Sequence, residues 1–357
     1  MIPARAITAE PRAGRPLRAL VLDDDPVFRT VLSRTLGRLG VQVVATCADG
    51  ASARQRLGSG DVDAVTIDVV LKGESGIDFL KWCRAHHPKV VTVLVTAGTE
   101  RGARTGVDGV LLGAAALIPK PDAKHVDGFE SDLRRVFGLS EQPRAVPTAA
   151  SNTPTARLRP ARRREFIAIG ASTGGPPALL KLLKAIPAWC DAPVVITQHM
   201  PSLHLTYFAE LLAGQLPRPV KVVSAPTPLL RGAFYLASGD HHLKVRRSGA
   251  TLVASPDSGE PEHHCRPAVD PMFRSLAEAA PGGGVAIVLT GMGSDGASGA
   301  VMLRERGTPV LVQDQASSVV WGMPSSVVNA GAADAVVPID RMAATVLEWM
   351  DWAQGGK

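Results

Sequence analysis

Between Gly138 and Glu165 the chain carries Pro143, Pro147, Pro154 and Pro160, several Ser and Thr, six arginines and almost nothing bulky. Such a stretch has too little apolar surface to join a core and reads as a flexible linker. It therefore divides the 357 residues into two blocks, each long enough to fold on its own. The expected organisation is a disordered arm over 1–16, a first domain over 17–137, the linker over 138–165 and a second domain over 166–354. Hydrophobic residues at 45% and charged residues at 20% give both blocks the balance of globular domains.

Both blocks alternate short apolar runs with helix-like stretches. In the first block the runs are Ala19–Leu22, Val41–Ala45, Ala64–Ile67, Val90–Val95 and Ala116–Ile118. In the second they are Phe166–Ala171, Pro193–Gln198, Val285–Thr290 and Pro309–Gln313. Runs of this length, apolar throughout, are what strands buried on both faces require, so the fold class is α/β with two doubly wound parallel sheets. A hairpin is expected where Ala233–Ala237 and Leu243–Arg247 flank Ser238-Gly239-Asp240.

Polar residues stand at the ends of these runs. Asp23 and Asp24 follow the first strand, Asp68 the third, Thr96 the fourth and Lys120 the fifth. The carboxyl ends of strands in a doubly wound sheet share one crevice, which would gather all five. Clustered carboxylates hold a hard cation such as Mg²⁺ through oxygen, and a carboxylate beside that cation can accept a phosphoryl group. Asp68 is the candidate acceptor, Asp23, Asp24 and Asp68 the candidate Mg²⁺ ligands, and Thr96 and Lys120 the candidate phosphate contacts. Taken alone, Asp23-Asp24-Asp25 could equally be an acidic helix start.

In the second block Gly170-Ala171-Ser172-Thr173-Gly174-Gly175-Pro176 joins a strand to a helix-like run. A tight glycine turn there exposes the serine hydroxyl at a helix N-terminus; the bland alternative is a serine helix cap. His199 ends the next strand in Gln198-His199-Met200-Pro201, and Asp295 lies in Thr290-Gly291-Met292-Gly293-Ser294-Asp295-Gly296 after another. Ser172, His199 and Asp295 can supply nucleophile, base and orienter from strand ends facing a single crevice. The chain order Ser, His, Asp differs from that of the α/β-hydrolases.

These segments carry a resemblance. Val21-Leu22-Asp23-Asp24-Asp25-Pro26, Ile67-Asp68, Val95-Thr96-Ala97 and Pro119-Lys120-Pro121 resemble the flavodoxin-like receiver domain of two-component response regulators. GASTGG, QHMP, RPAVDPMF, LTGMGSDGA and WGMP resemble the Rossmann-like catalytic domain of chemotaxis protein-glutamate methylesterases. The resemblance implies a phosphorylation-regulated serine esterase that demethylates glutamates, and deamidates glutamines, on chemoreceptors. It implies Ser172 as nucleophile, His199 as base, Asp295 as orienter and the Met292 N–H as an oxyanion donor. It further implies Asp68 as phosphoacceptor, Mg²⁺ for receiver phosphorylation and no cofactor for the esterase. The implied partners are methyl-accepting receptors as substrate and a chemosensory histidine kinase as phosphodonor. Lys72 stands where the receiver family often has proline, and Gly102, Gly106 and Gly109 weaken the expected fourth helix.

The net charge of +6 invites a nucleic-acid reading. Many arginines fall in the arm and the linker, aromatic residues are only 4%, and no nucleic-acid-binding motif is present, so no nucleic-acid partner is expected. The absence of an apolar run after the N-terminal arginines, and of any run long enough to span a bilayer, points to a cytoplasmic protein without membrane insertion. Cys47, Cys83, Cys190 and Cys265 are scattered and read as reduced thiols.

Overall fold

The computed structural model describes residues 15–121, 126–137 and 164–350. The expected arm (1–16) and linker (138–165) lie almost wholly outside them. The chain divides into two compact units, Met1–Glu141 and Gln142–Lys357.

The first unit alternates five strands and five helices: β1 Arg18–Leu22, α1 Pro26–Arg38, β2 Gln42–Cys47, α2 Gly50–Leu57, β3 Ala64–Asp68, α3 Gly76–His86, β4 Val91–Thr96, α4 Glu100–Leu111, β5 Ala116–Pro119 and α5 Val126–Val136. The sheet order is β2-β1-β3-β4-β5, with every neighbouring pair parallel. β3 is buried along its whole length, as a central strand covered by helices on both faces must be.

The glycines of α4 do not break the helix. They face the sheet: a Cβ on Gly102 would meet Thr96 Oγ1 at 2.4 Å, one on Gly106 would meet Leu117 at 2.7 Å, and one on Gly109 would meet Leu94 at 2.3 Å. Close packing against β4 and β5 thus sets off the weak intrinsic propensity. The acidic run after β1 divides its labour. Asp25 caps α1, accepting from the Val27 and Phe28 N–H groups, while Asp23 and Asp24 remain for the crevice.

In the second unit the chain forms β6 Phe166–Ala171, α6 Gly175–Ala185, β7 Val194–Gln198, α7 Ser202–Gln215, β8 Val220–Val223, β9 Thr227–Pro228, β10 Phe234–Ala237, β11 His242–Ser248, β12 Thr251–Asp257, α8 Val269–Ala279, β13 Gly284–Val288, α9 Ala297–Glu305, β14 Val310–Gln313, α10 Gly322–Asn329, β15 Ala335–Val337 and α11 Ile339–Trp349. A seven-stranded parallel sheet runs β15-β14-β13-β6-β7-β10-β8, and β11-β12-β9 form a small antiparallel sheet. The strand order reverses between β6 and β13, so a crevice opens there at the carboxyl ends.

The hairpin is displaced from its expected place. Phe234–Ala237 does not pair with Leu243–Arg247; β10 is buried at every residue and lies in the main sheet between β7 and β8. β11 is buried on one face only and pairs with β12 instead. Gly249, at φ 59 in the two-residue loop between Ser248 and Thr251, supplies the turn. No helix of the described residues is long and apolar enough to cross a membrane.

Candidate active site and phosphoacceptor site

In the first unit Asp23, Asp24 and Asp68 offer carboxylate oxygens within 4.8 Å of one another. Lys120 Nζ donates to Asp68 Oδ2 at 2.7 Å, pairs with Asp23 Oδ2 at 2.8 Å and lies 4.6 Å from the centre of the Phe28 ring. Burial raises the Asp23 carboxyl above its ordinary value, and Asp68 adds to that while Lys120 opposes it. Burial works against the charge of Lys120, yet the two carboxylates hold its affinity for a proton above normal. Three hard oxygen donors this close, with the partly buried Lys120 between two of them, fit a divalent ion such as Mg²⁺. Thr96 is fully buried and its hydroxyl donates to the Ala97 carbonyl at 3.2 Å. Lys72 approaches Asp24 at 3.9 Å from the rim.

In the second unit Ser172 follows β6, His199 follows β7 and Asp295 follows β13, at the point where the strand order reverses. The serine is not spent as a helix cap. Gly174, at φ 76, is the N-cap of α6, and no side chain caps that end. The Gly175 N–H donates to the Ser172 carbonyl at 2.7 Å, closing the turn. β6 and β7 are paired with Ala171 opposite Gln198, so Ser172 and His199 leave the sheet side by side. The His199 N–H donates to the Ala171 carbonyl at 3.0 Å, and the Gln198 side-chain amide ties the Ser172 and His199 carbonyls together at 3.0 and 2.9 Å.

His199 Nε2 meets Asp295 Oδ2 at 2.6 Å, with both side chains buried. Ser172 Oγ makes no hydrogen bond to the ring; His199 Nδ1 is the buried nitrogen left without a partner of normal geometry. Catalytic hydrogen bonds that tighten only around substrate are common in ligand-free sites. Asp295 is also held by main chain. The Val269 N–H donates to Oδ2 at 2.6 Å, while the Asp270 and Gly296 N–H groups donate to Oδ1 at 2.9 and 2.8 Å. Its carboxylate thus sits against the first turns of α8 and α9, where helix N-termini favour negative charge. Burial opposes that charge, but the His199 ring and the Val269 and Asp270 amides hold the carboxyl below its usual range. Burial likewise opposes a charged His199, but Cys265 and Asp295 beside the ring outweigh it and raise its affinity for a proton above the ordinary histidine value.

Met292 follows Gly291, whose approach to Ser172 is so close that an added Cβ would lie 2.7 Å from the serine Cβ. A buried network backs this turn: Thr290 Oγ1 donates to the Thr173 carbonyl at 2.9 Å and accepts from the Val320 N–H at 2.9 Å, and the Thr290 N–H donates to Gln313 Oε1 at 2.8 Å. The sequence alone assigns no role to Gln198, Thr290, Gln313, Asp270 or Cys265. Only their buried contacts, visible in three dimensions, mark them out; in sequence each is an ordinary strand-end, loop or first-turn residue.

A family model described as CheB methylesterase matches residues 167–346, and one described as response regulator receiver domain matches residues 19–126. A protein-glutamate methylesterase/protein-glutamine glutaminase of Xanthomonas euvesicatoria pv. vesicatoria is 38% identical over 93% of this chain and 97% of its own length. The chain belongs to the CheB methylesterase family. A relative of the same description from Nocardioides sp. is 37% identical over 93% of this chain and 94% of its own length. The crystal structure of the Thermotoga maritima CheB methylesterase catalytic domain covers 52% of this chain and 98% of its own length, at 33% identity and a TM-score of 0.51. A receiver followed by a methylesterase domain is the arrangement of a response-regulator-controlled methylesterase of this family.

Proposed function

We propose that this chain hydrolyses glutamate methyl esters on methyl-accepting chemoreceptors, and deamidates glutamines there, under control of phosphorylation at Asp68. The observation that carries the reading is the buried His199–Asp295 hydrogen bond beside Ser172. In this reading His199 takes the Ser172 proton as Oγ attacks the ester carbonyl, and the Asp295 carboxylate stabilises the imidazolium that forms. The Met292 N–H, one residue after the Gly291–Ser172 contact, is the candidate donor to the developing oxyanion. His199 then protonates the departing methanol, and water, activated by the same base, releases the glutamate. A primary amide enters the same sequence with ammonia as the leaving group.

In the receiver, Asp68 attacks a phosphoryl group donated by a chemosensory histidine kinase. Mg²⁺ bound by Asp23, Asp24 and Asp68 would screen the negative charge of the phosphoryl oxygens. Lys120, already on Asp68 and Asp23, is the candidate cation for the new charge, and Thr96 at the end of β4 is the candidate hydroxyl contact. A cytoplasmic location follows from these partners. The test is methanol release from methylated receptor with and without a phosphodonor, using Ser172→Ala as control. Release that persists in that variant would remove the assignment.

A further inference from the structure

A second histidine–aspartate pair lies behind the first. His263 Nε2 meets Asp270 Oδ2 at 2.9 Å and stands 3.9 Å from Asp295 Oδ1. Asp270 is 1% exposed and sits in the first turn of α8. Its Oδ1 accepts from the Gly299 N–H of α9 at 2.6 Å, and its own N–H donates to Asp295 Oδ1 at 2.9 Å. Asp270 therefore staples the starts of α8 and α9 together around the carboxylate that holds His199. Two buried carboxylates in adjoining positions repel, and a cation between them relieves that repulsion. His263 is in the right place to be that cation, and its side chain is 38% exposed, so its proton exchanges with solvent.

We propose that His263 is a positioning residue for the esterase: as an imidazolium it holds Asp270 and, through it, the Asp295 carboxylate in the charged and oriented state that His199 needs. This rests on the Ser172–His199–Asp295 reading of the site. The backbone agrees with a built-in role. His263 is held at φ 52 and its neighbour His264 at φ 59, so the loop carries His263 through the left-handed region on its way to Asp270. The charged and titratable groups around it are Asp270 on α8, Asp295 after β13 and Cys265 in its own loop. Arg274 on α8, paired with Glu262, adds positive charge toward the same two aspartates. The hydrogen bond to Asp270 favours the charged ring and outweighs the opposing effect of burial. The positioning is thus complete below the ordinary histidine value of 6.5 and fades as the pH rises through the raised one.

The test uses the full chain and a synthetic helical peptide carrying a glutamate γ-methyl ester. His263→Gln keeps a side-chain N–H donor without the charge. His263→Asn removes the charge with a residue that tolerates the left-handed backbone. Both variants should lose about tenfold in kcat with KM unchanged, a loss of transition-state stabilisation rather than of binding. The acid limb of kcat/KM should move up by roughly half a unit or more, because His199 loses a nearby positive charge. The alkaline decline that the wild type shows as His263 loses its proton should be missing from both. Wild-type kcat and pH profile in the two variants would overturn the proposal. So would a fall in kcat matched by a rise in KM and a large drop in melting temperature, which would mark His263 as merely structural. The triad reading fails separately, and visibly, if Ser172→Ala retains hydrolysis in the same assay.

Discussion

The most demanding prediction concerns Asp295→Asn, a change of one atom. In the native site one oxygen accepts from the Val269 N–H and the His199 ring, and the other from the Asp270 and Gly296 N–H groups. An amide has one oxygen and one NH₂ group, so either orientation leaves two of these donors facing a donor. The site is 1% exposed, and water cannot replace the lost acceptor. An unsatisfied buried donor costs about 1–3 kcal/mol, so two should cost about 4 kcal/mol before the lost charge is counted. For a domain of this size that is a fall of roughly 8–16 °C in the melting temperature of the esterase transition. If the amide nitrogen turns toward His199, the ring is also fixed in the wrong tautomer, and kcat should fall about 10⁴-fold. Scanning calorimetry of the full chain, with methanol release from the same preparations, reads both effects. A melting temperature within about 2 °C of wild type would refute the account of Asp295 as a group that four donors hold in place.

Ser172→Ala should lower turnover by roughly 10⁴- to 10⁶-fold, His199→Ala by a similar factor, and the double variant by little more, all read as methanol release. Acetyl phosphate with Mg²⁺ should add one acid-labile phosphoryl group, and Asp68→Asn or chelation should abolish the label. Gly109→Val should destabilise the first unit by about 1–3 kcal/mol in chemical denaturation, because its Cβ alone would lie 2.3 Å from Leu94 Cδ1 and 2.7 Å from Ile77 Cδ1. In acid, the stabilisation contributed by Asp295 should be complete above 3.8 and disappear as the pH falls through its lower folded value; a pH series of melting temperatures on wild type and Asp295→Asn would show the two curves converging there.

The strands that frame both sites are legible in the sequence because each is short, apolar and bounded by turn residues; β6, for example, falls where its sequence places it. The candidate site residues can be picked out for the same reason, since each stands one or a few positions beyond such a run. Phe234–Ala237 misleads because a strand buried on both faces and one strand of a hairpin look alike over four residues. Propensity alone undervalues the glycines of α4, and only the Leu94 and Leu117 side chains above the sheet explain why a helix forms there. Asp270 is hidden inside a motif. Its burial and its bond to Gly299 arise from the meeting of two helices that nothing local announces.

The placement of β13 has a consequence for how the protein comes into being. Ser172 and His199 follow neighbouring strands, but Asp295 is 96 residues beyond the histidine, in the turn after a strand that inserts between β14 and β6. While the chain is being made, serine and imidazole can already stand side by side as β6 and β7 pair, yet nothing orients the ring. The hydrolase is therefore chemically mute until the late strand docks, because long-range pairing comes last and slowest in such topologies. A chain ended before β13 would lack both Asp295 and the Thr290 contacts that back the serine turn, and would have no esterase activity. Completion of the sheet is itself the first licence to act.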